Sequence, residues 1–258
     1  MNAIIELNIL QFSLIYSLLL IVLFIMKRCK ISKTKMLLIA SMRMSVQLAL
    51  AGFILTYIFK NPHPIFTILY LTTMTLFSIY TVLSRNKGIN KKFKLIVAFS
   101  LSIVGICIIF FFITVVIGVS IFNQQYIIPI SGMIFGNAMT GVSLGLKTFD
   151  ESIKSQRNKI DTLVNIGVTP DRILSPFANQ ALETAILPTL NSMIGMGIIS
   201  LPGMMTGQIL SGTIPTTAIL YQIAIIIAQC TVTCLAVFCS LHFGCKTLYN
   251  NRNQMLIY

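Results

Sequence analysis

Long apolar runs alternate with short polar ones along the whole of this 258-residue chain. About 20 apolar residues are needed for a helix to cross the hydrocarbon core of a bilayer. By that measure the pattern predicts seven spans, near 7–26, 36–59, 65–83, 95–122, 126–146, 185–210 and 216–241. The expected fold is therefore all-α: one polytopic transmembrane helical bundle occupying 1–258 as a single domain. The last three spans are rich in Gly, Ser, Thr and Pro, and the sixth carries a Leu201-Pro202-Gly203 sequence where a helix should kink or unwind, because proline lacks an N–H.

Composition supports the membrane and charge orients the chain. Hydrophobic residues make up 56% and charged residues only 10%, far below the roughly 25% charged content of soluble domains. The net charge of +13 is not spread over one polar face, as nucleic-acid binding would need. Five Lys/Arg fall in 27–35, five in 85–94, five in 147–172 and two after 241, so 17 of the 19 lie on one side of a seven-span chain. Positive loops stay inside, which puts the N-terminus outside, the C-terminus in the cytoplasm and the protein in the cytoplasmic membrane. The first basic cluster follows the first apolar run instead of preceding it, so that run reads as a retained span and not a cleaved signal.

Five of the six acidic residues lie between Asp150 and Glu183, making 147–183 the one long segment of mixed charge. Its first half predicts a helix with Ile153, Ile160 and Leu163 on one face. Gly167 and Pro170 then mark a turn, and a second helix over 171–183 leads into the sixth span. Connections in bundles are normally short, so this cytoplasmic segment suggests a docking surface. The polar residues inside the spans are few. Asn137 and Thr140 lie on the fifth, Asn191 and Gln208 on the sixth, and Gln222, Gln229 and Thr233 on the seventh. They are expected to face the bundle interior, either holding helices together or touching a cargo. Met193, Met196, Met204 and Met205 crowd the sixth span as apolar filler or as soft ligands. Three GxxxG repeats start at Gly132, Gly141 and Gly203 and favour close helix approach.

Enzyme chemistry and nucleotide binding find no support in these residues. The chain shows no interfacial cluster of His, Asp and Glu. Gly136 and Gly141 have P-loop spacing, but Val142-Ser143 stands where Lys-Ser/Thr is required. His242 and Cys245 are two potential ligands, too few for a metal site, and the six cysteines form no CxxC pair.

Four stretches carry a resemblance: GNAMTGVSLGL from Gly136, GVTP from Gly167, LPTLNSM from Leu187 and SLPGMMTGQILSG from Ser200. Together they resemble the FetB family of ABC-transporter permeases. The resemblance implies a permease subunit without catalytic residues or a bound cofactor, working as a homodimer with a separate ATPase that holds ATP and Mg. It implies export of iron or a related metal cation; plant relatives imply a nucleotide sugar instead, and an ATP-independent carrier or channel is the remaining alternative. Asp161-Thr-Leu-Val-Asn-Ile-Gly167 is similar to the loop by which such permeases dock into their ATPase, which would make Asp161, Gly167, Thr169 and Pro170 coupling residues. Asn137, Thr140, Asn191, Pro202, Gly203, Met204, Met205 and Gln208 are then the candidate pathway and helix-break residues.

Overall fold

The computed structural model describes residues 8–250 and 254, and among these it is helical with no strand. The expected start of the first span at Leu7 and the basic Arg252 lie outside the described residues. In chain order the helices are α1 (Ile9–Arg28), α2 (Thr34–Lys60), α3 (Pro64–Arg85), α4 (Lys91–Phe111, continued by a π turn over Phe112–Ile117), α5 (Gln124–Ser155), α6 (Arg157–Asn165), α7 (Pro170–Gly195), α8 (Gly203–Leu210) and α9 (Pro215–Cys245). Five of them, α2, α3, α4 with its π turn, α5 and α9, are long and apolar enough to cross a membrane.

Helix starts follow local chemistry. The Asn90 side chain accepts from the Phe93 N–H at 2.7 Å and caps α4, while His63 Nδ1 accepts from the Ile65 N–H ahead of α3. Pro64, Pro170 and Pro215 occupy first-turn positions, where a missing N–H costs nothing.

The chain divides into two compact units. The first holds α1 and α2, through Pro62, with 210–212. Tyr16 and Ser45 join its two helices by a hydrogen bond between their hydroxyls. Large apolar side chains such as Leu14, Phe24, Met42 and Phe53 stand exposed on it, as a surface solvated by lipid requires.

The second unit is built around α5. Ile127, Ile130, Ile134, Phe135, Ala138, Val142 and Leu146 of this helix are all fully buried or nearly so, and α3, α4, α7 and α9 pack around it. The closest approach is at Gly141, where a methyl group would overlap Thr233 Cγ2 of α9 and stand 3.3 Å from the Ala185 carbonyl of α7. One turn on, a methyl at Gly145 would lie 3.1 Å from Val237 and 3.2 Å from the Ala185 side chain. This is the one GxxxG repeat that packs at both ends. Gly136, Gly203 and Gly207 have nothing within 4 Å of where a side chain would begin.

The stretch expected as a sixth span does not form one helix. The sequence pattern started it at 185 and ran it to 210, but the long helix here is α7, which begins at Pro170 and ends at Gly195. Its 26 residues would extend about 39 Å at 1.5 Å each. The charged and polar side chains Asp171, Arg172, Asn179, Gln180 and Glu183 made its first part look like a soluble connector.

Candidate functional site

Two features stand out in the second unit: a short helix between two long ones at the end where basic residues gather, and the packing of α7 against α5.

At the basic end α5 gives way at Gln156 to α6. Ile160 of α6 is buried and Val164 half-buried, while Asp161, Thr162 and Asn165 face outward. Asp161 makes an exposed contact with Arg157 at 4.0 Å, and Lys154 pairs with Asp150 at 2.6 Å. Exposed pairs of this kind contribute roughly 0.2–1 kcal/mol, so they bias the surface and do not hold α6 in place. A cavity of about 850 Å³ lies under α6, lined by Asn90, Phe93, Asp150, Lys154, Arg157 and Ile160 among others.

The turn after α6 has a defined form. The Val168 N–H donates to the Leu163 carbonyl at 3.0 Å and the Gly167 N–H to the Val164 carbonyl at 3.0 Å. That double closure is a Schellman motif, which needs a left-handed residue; Gly167 supplies it at φ +83°. Thr169 then extends the backbone and buried Pro170 opens α7. The turn expected at Gly-Val-Thr-Pro is therefore present. Its tip carries Ile166, 70% exposed among charged and polar neighbours. The periodicity of 149–164 pointed to the inner face; it gave no sign of this outer apolar residue.

Near this turn the Tyr249 hydroxyl donates to Asp171 Oδ1 at 2.7 Å, tying the segment after α9 to the start of α7. Burial, reinforced by the hydrogen bond and charge of Asp171, pushes the phenol up to about 12.

The polar side chains of α7 are scattered: Glu183 and Asn191 are exposed, and so are Leu187, Leu190 and Ile194 beside them. Contacts of Gly145 with Ala181 and of Gly141 with Ala185 show that α5 and α7 run antiparallel. Asn137 Nδ2 donates to Thr189 Oγ1 at 3.1 Å across them. Asn191, one turn from Thr189's neighbour Pro188, is exposed, as is Thr140 on α5, whose hydroxyl donates to the Gly136 carbonyl. Asn137 thus serves to join helices. Double-mutant cycles across membrane helices average about 0.6 kcal/mol. A cycle of Asn137→Ala and Thr189→Val, followed by SDS-induced unfolding, should return a coupling of about that size, and zero coupling would remove the bond from the packing.

The remaining pathway candidates sit beyond the end of α7. The chain leaves the helix at Met196, turns through Gly197 at φ +87°, and closes with the Gly197 N–H on the Ser200 carbonyl at 2.9 Å. Pro202 follows this turn and its carbonyl accepts the Thr206 N–H, so it starts α8. The break expected at Pro202 is real but begins six residues earlier, at Met196. Gly203, Met204, buried Met205 and Gln208 all belong to the short α8 and do not join Asn137, Thr140 and Asn191 on α7 and α5. Gln222 of α9 reaches the turn instead: its Nε2 stands 3.9 Å from Met196 Sδ, and its buried Oε1 has no hydrogen-bond partner. Among the described residues no three His, Cys, Asp or Glu side chains come together as a metal site.

Known proteins share this sequence over most of its length. The chain is 34% identical to the UPF0014 membrane protein YjkA of Bacillus subtilis, over 88% of this chain and 90% of that one. It is 30% identical to the probable iron export permease protein FetB of Escherichia coli, over 83% and 82% of the two chains. With the protein ALUMINUM SENSITIVE 3 of Arabidopsis thaliana the identity is 35%, over 71% and 66%. No solved structure matches. The family model that matches spans residues 9–249, and the chain is a multi-pass membrane protein belonging to the uncharacterised protein family UPF0014.

Proposed function

We propose that this protein is the membrane permease subunit of an ABC transporter that exports iron or a related metal cation, driven by a separate ATPase. The observation that carries this reading is the element α6 with its turn. It is a nine-residue helix set between two long helices, ending in a Schellman turn that lifts the exposed Ile166 away from the bundle. A single exposed isoleucine is ordinary on a protein surface; placed at the tip of a tight turn between two long helices, it is shaped to enter a groove on a partner. Asp161, Thr162 and Asn165 would form the rim of that contact, with Gly167, Thr169 and Pro170 fixing its angle.

On this reading the basic clusters hold 147–172 in the cytoplasm. ATP and Mg stay on the partner, whose closure presses on α6. The hollow of about 850 Å³ beneath α6 leaves room for it to move, and the motion passes to α5 and α7, which α6 connects. A second copy would complete the pathway and cover Glu183 and Asn191, the exposed polar side chains of α7 that are costly against lipid. The name of the Escherichia coli relative is the support for iron as cargo.

The test is ATP-dependent transport in sealed vesicles holding this chain and its ATPase, offered Fe(II) or a nucleotide sugar. Fe(II) movement that needs both subunits and ATP is the expected result. Movement of the nucleotide sugar alone would replace the cargo, and transport without the ATPase would replace the mechanism.

A further inference from the structure

The hollow under α6 has two chemically distinct parts. Its floor is hydrocarbon: Phe93 of α4 meets Phe149 of α5 at 6.2 Å between ring centroids, and Leu146, Ile153 and Ile160 line it beside them. All five are buried, none more than 7% exposed. Its mouth is charged. Lys87, Lys154 and Arg157 line it together with Asp150 and Asp161, and Lys94 joins them by donating from Nζ to the Lys87 carbonyl at 3.5 Å. Asp150 is taken up by Lys154 at 2.6 Å and lies against the turn at Gly88, where a side chain would begin 3.5 Å from its Oδ1. Asp161 faces Arg157 at 4.0 Å. Lys87 and Lys94 enter none of the ion pairs among the described residues. Four bases thus face two acids, and the surplus sits on the 87–94 side.

That division fits an amphiphile and not a polar solute. Water in a hollow needs roughly two to four polar partners, which hydrocarbon side chains do not give, and a space without neighbouring atoms forfeits dispersion contacts. At about 850 Å³ the hollow is within the range of pockets that enclose organic ligands, about 300–1,000 Å³. The surplus of bases selects an anionic head. The place selects a lipid. Loops as basic as 85–94 and 147–172 stay on the cytoplasmic side, where the leaflet carries anionic phospholipids and basic pockets between membrane helices take up their headgroups.

We propose that the hollow beneath α6 binds one anionic phospholipid, with an acyl chain lying on Phe93, Phe149 and Ile153 and the phosphate held by Lys87 and Lys94. The site stands apart from the permease reading, since it needs only the membrane and this end of the bundle. It reaches α6 all the same, because Ile160 and Val164 line the same hollow. A chain beneath them supports that short helix, so lipid composition sets its position.

The experiment uses the full chain in detergent, with phosphatidylglycerol as the probe, phosphatidylcholine of the same chains as the neutral control, and native mass spectrometry to count bound lipid. The tightest site should hold one phosphatidylglycerol per chain, with phosphatidylcholine about tenfold weaker or more. Each base near an anionic lipid is worth roughly fivefold. Lys87→Gln with Lys94→Gln should therefore weaken phosphatidylglycerol by about thirtyfold and leave phosphatidylcholine unchanged. Lys27→Gln with Arg28→Gln, an equal loss of charge at the end of α1, should leave the tightest site intact. Ile89 also lines the hollow, and Ile89→Trp, which fills it with an indole, should remove that site for both lipids. Equal affinity for the two lipids, unchanged binding in the Lys87 and Lys94 double variant, or an equal loss in the Lys27 and Arg28 double variant overturns the inference. So does inorganic phosphate that competes as well as the intact lipid, which leaves an anion site without a lipid. Phosphatidylglycerol that binds only after residues 251–258 are cut away overturns it as well, and gives the hollow to those residues.

Discussion

Gly141→Leu should yield no folded protein, read as loss of the monodisperse peak in detergent and rapid degradation in the cell. The first side-chain atom at this position already overlaps Thr233 Cγ2, and the Ala185 carbonyl stands 3.3 Å away on the other side. A methyl group can rotate aside, but the backbone of α7 cannot without dragging Ala181 and Thr189 off α5. Leucine adds three further carbons to a gap that does not admit one. Gly141→Ala should be survivable, with a loss of about 1–3 kcal/mol as expected of overpacking. It should be partly rescued by Thr233→Ala, which removes the overlapping methyl. That second change also removes a buried hydroxyl that has no hydrogen-bond partner among the described residues, so Thr233→Ala alone should cost little. Wild-type stability in Gly141→Leu would mean that α5, α7 and α9 do not meet there.

The same junction explains which parts of the fold the amino acids announced. The second, third, fourth, fifth and seventh apolar runs each became one long helix, because an unbroken run facing lipid and core satisfies its backbone internally and needs no other signal. The sixth did not follow that rule. Asp171, Arg172, Asn179, Gln180 and Glu183 lower the apolar character of the first part of α7, so apolar continuity alone puts the start at Ala185 and not at Pro170. These residues are tolerated because the helix is held by its other face, where Ala181 and Ala185 pack on Gly145 and Gly141. The break after it was legible as a break and misplaced in position: Pro202 marks where α8 can begin, whereas Gly197, in left-handed conformation, makes the turn. The segment from α6 to the start of α7 was the reverse case. Gly167 and Pro170 were readable because backbone conformation alone selects them, but the exposed Ile166 was not, since an apolar residue in sequence carries no sign of which way it faces.

Gly167→Val should abolish co-purification of the ATPase and ATP-dependent transport while leaving the amount of folded permease unchanged. Nothing lies within 4 Å of where a side chain at Gly167 would begin, so space is not the obstacle. Its φ of +83° is. A residue with a Cβ loses about 1–2 kcal/mol in left-handed conformation, and a β-branched one more. Val168 would then no longer close on Leu163 nor residue 167 on Val164, and the tip bearing Ile166 would swing from its place. A shift of about 1.4 kcal/mol is a tenfold loss of docking, so valine should exceed that. Gly167→Asn, which tolerates the left-handed region, should keep most of the ATPase. Ile166→Asp separates the two contributions, because it preserves the turn but puts a charge on the apolar tip; it should release the ATPase as fully as valine does at 167. If Gly167→Val and Ile166→Asp both retain the ATPase, then α6 is a linker and the force reaches α5 and α7 by another route.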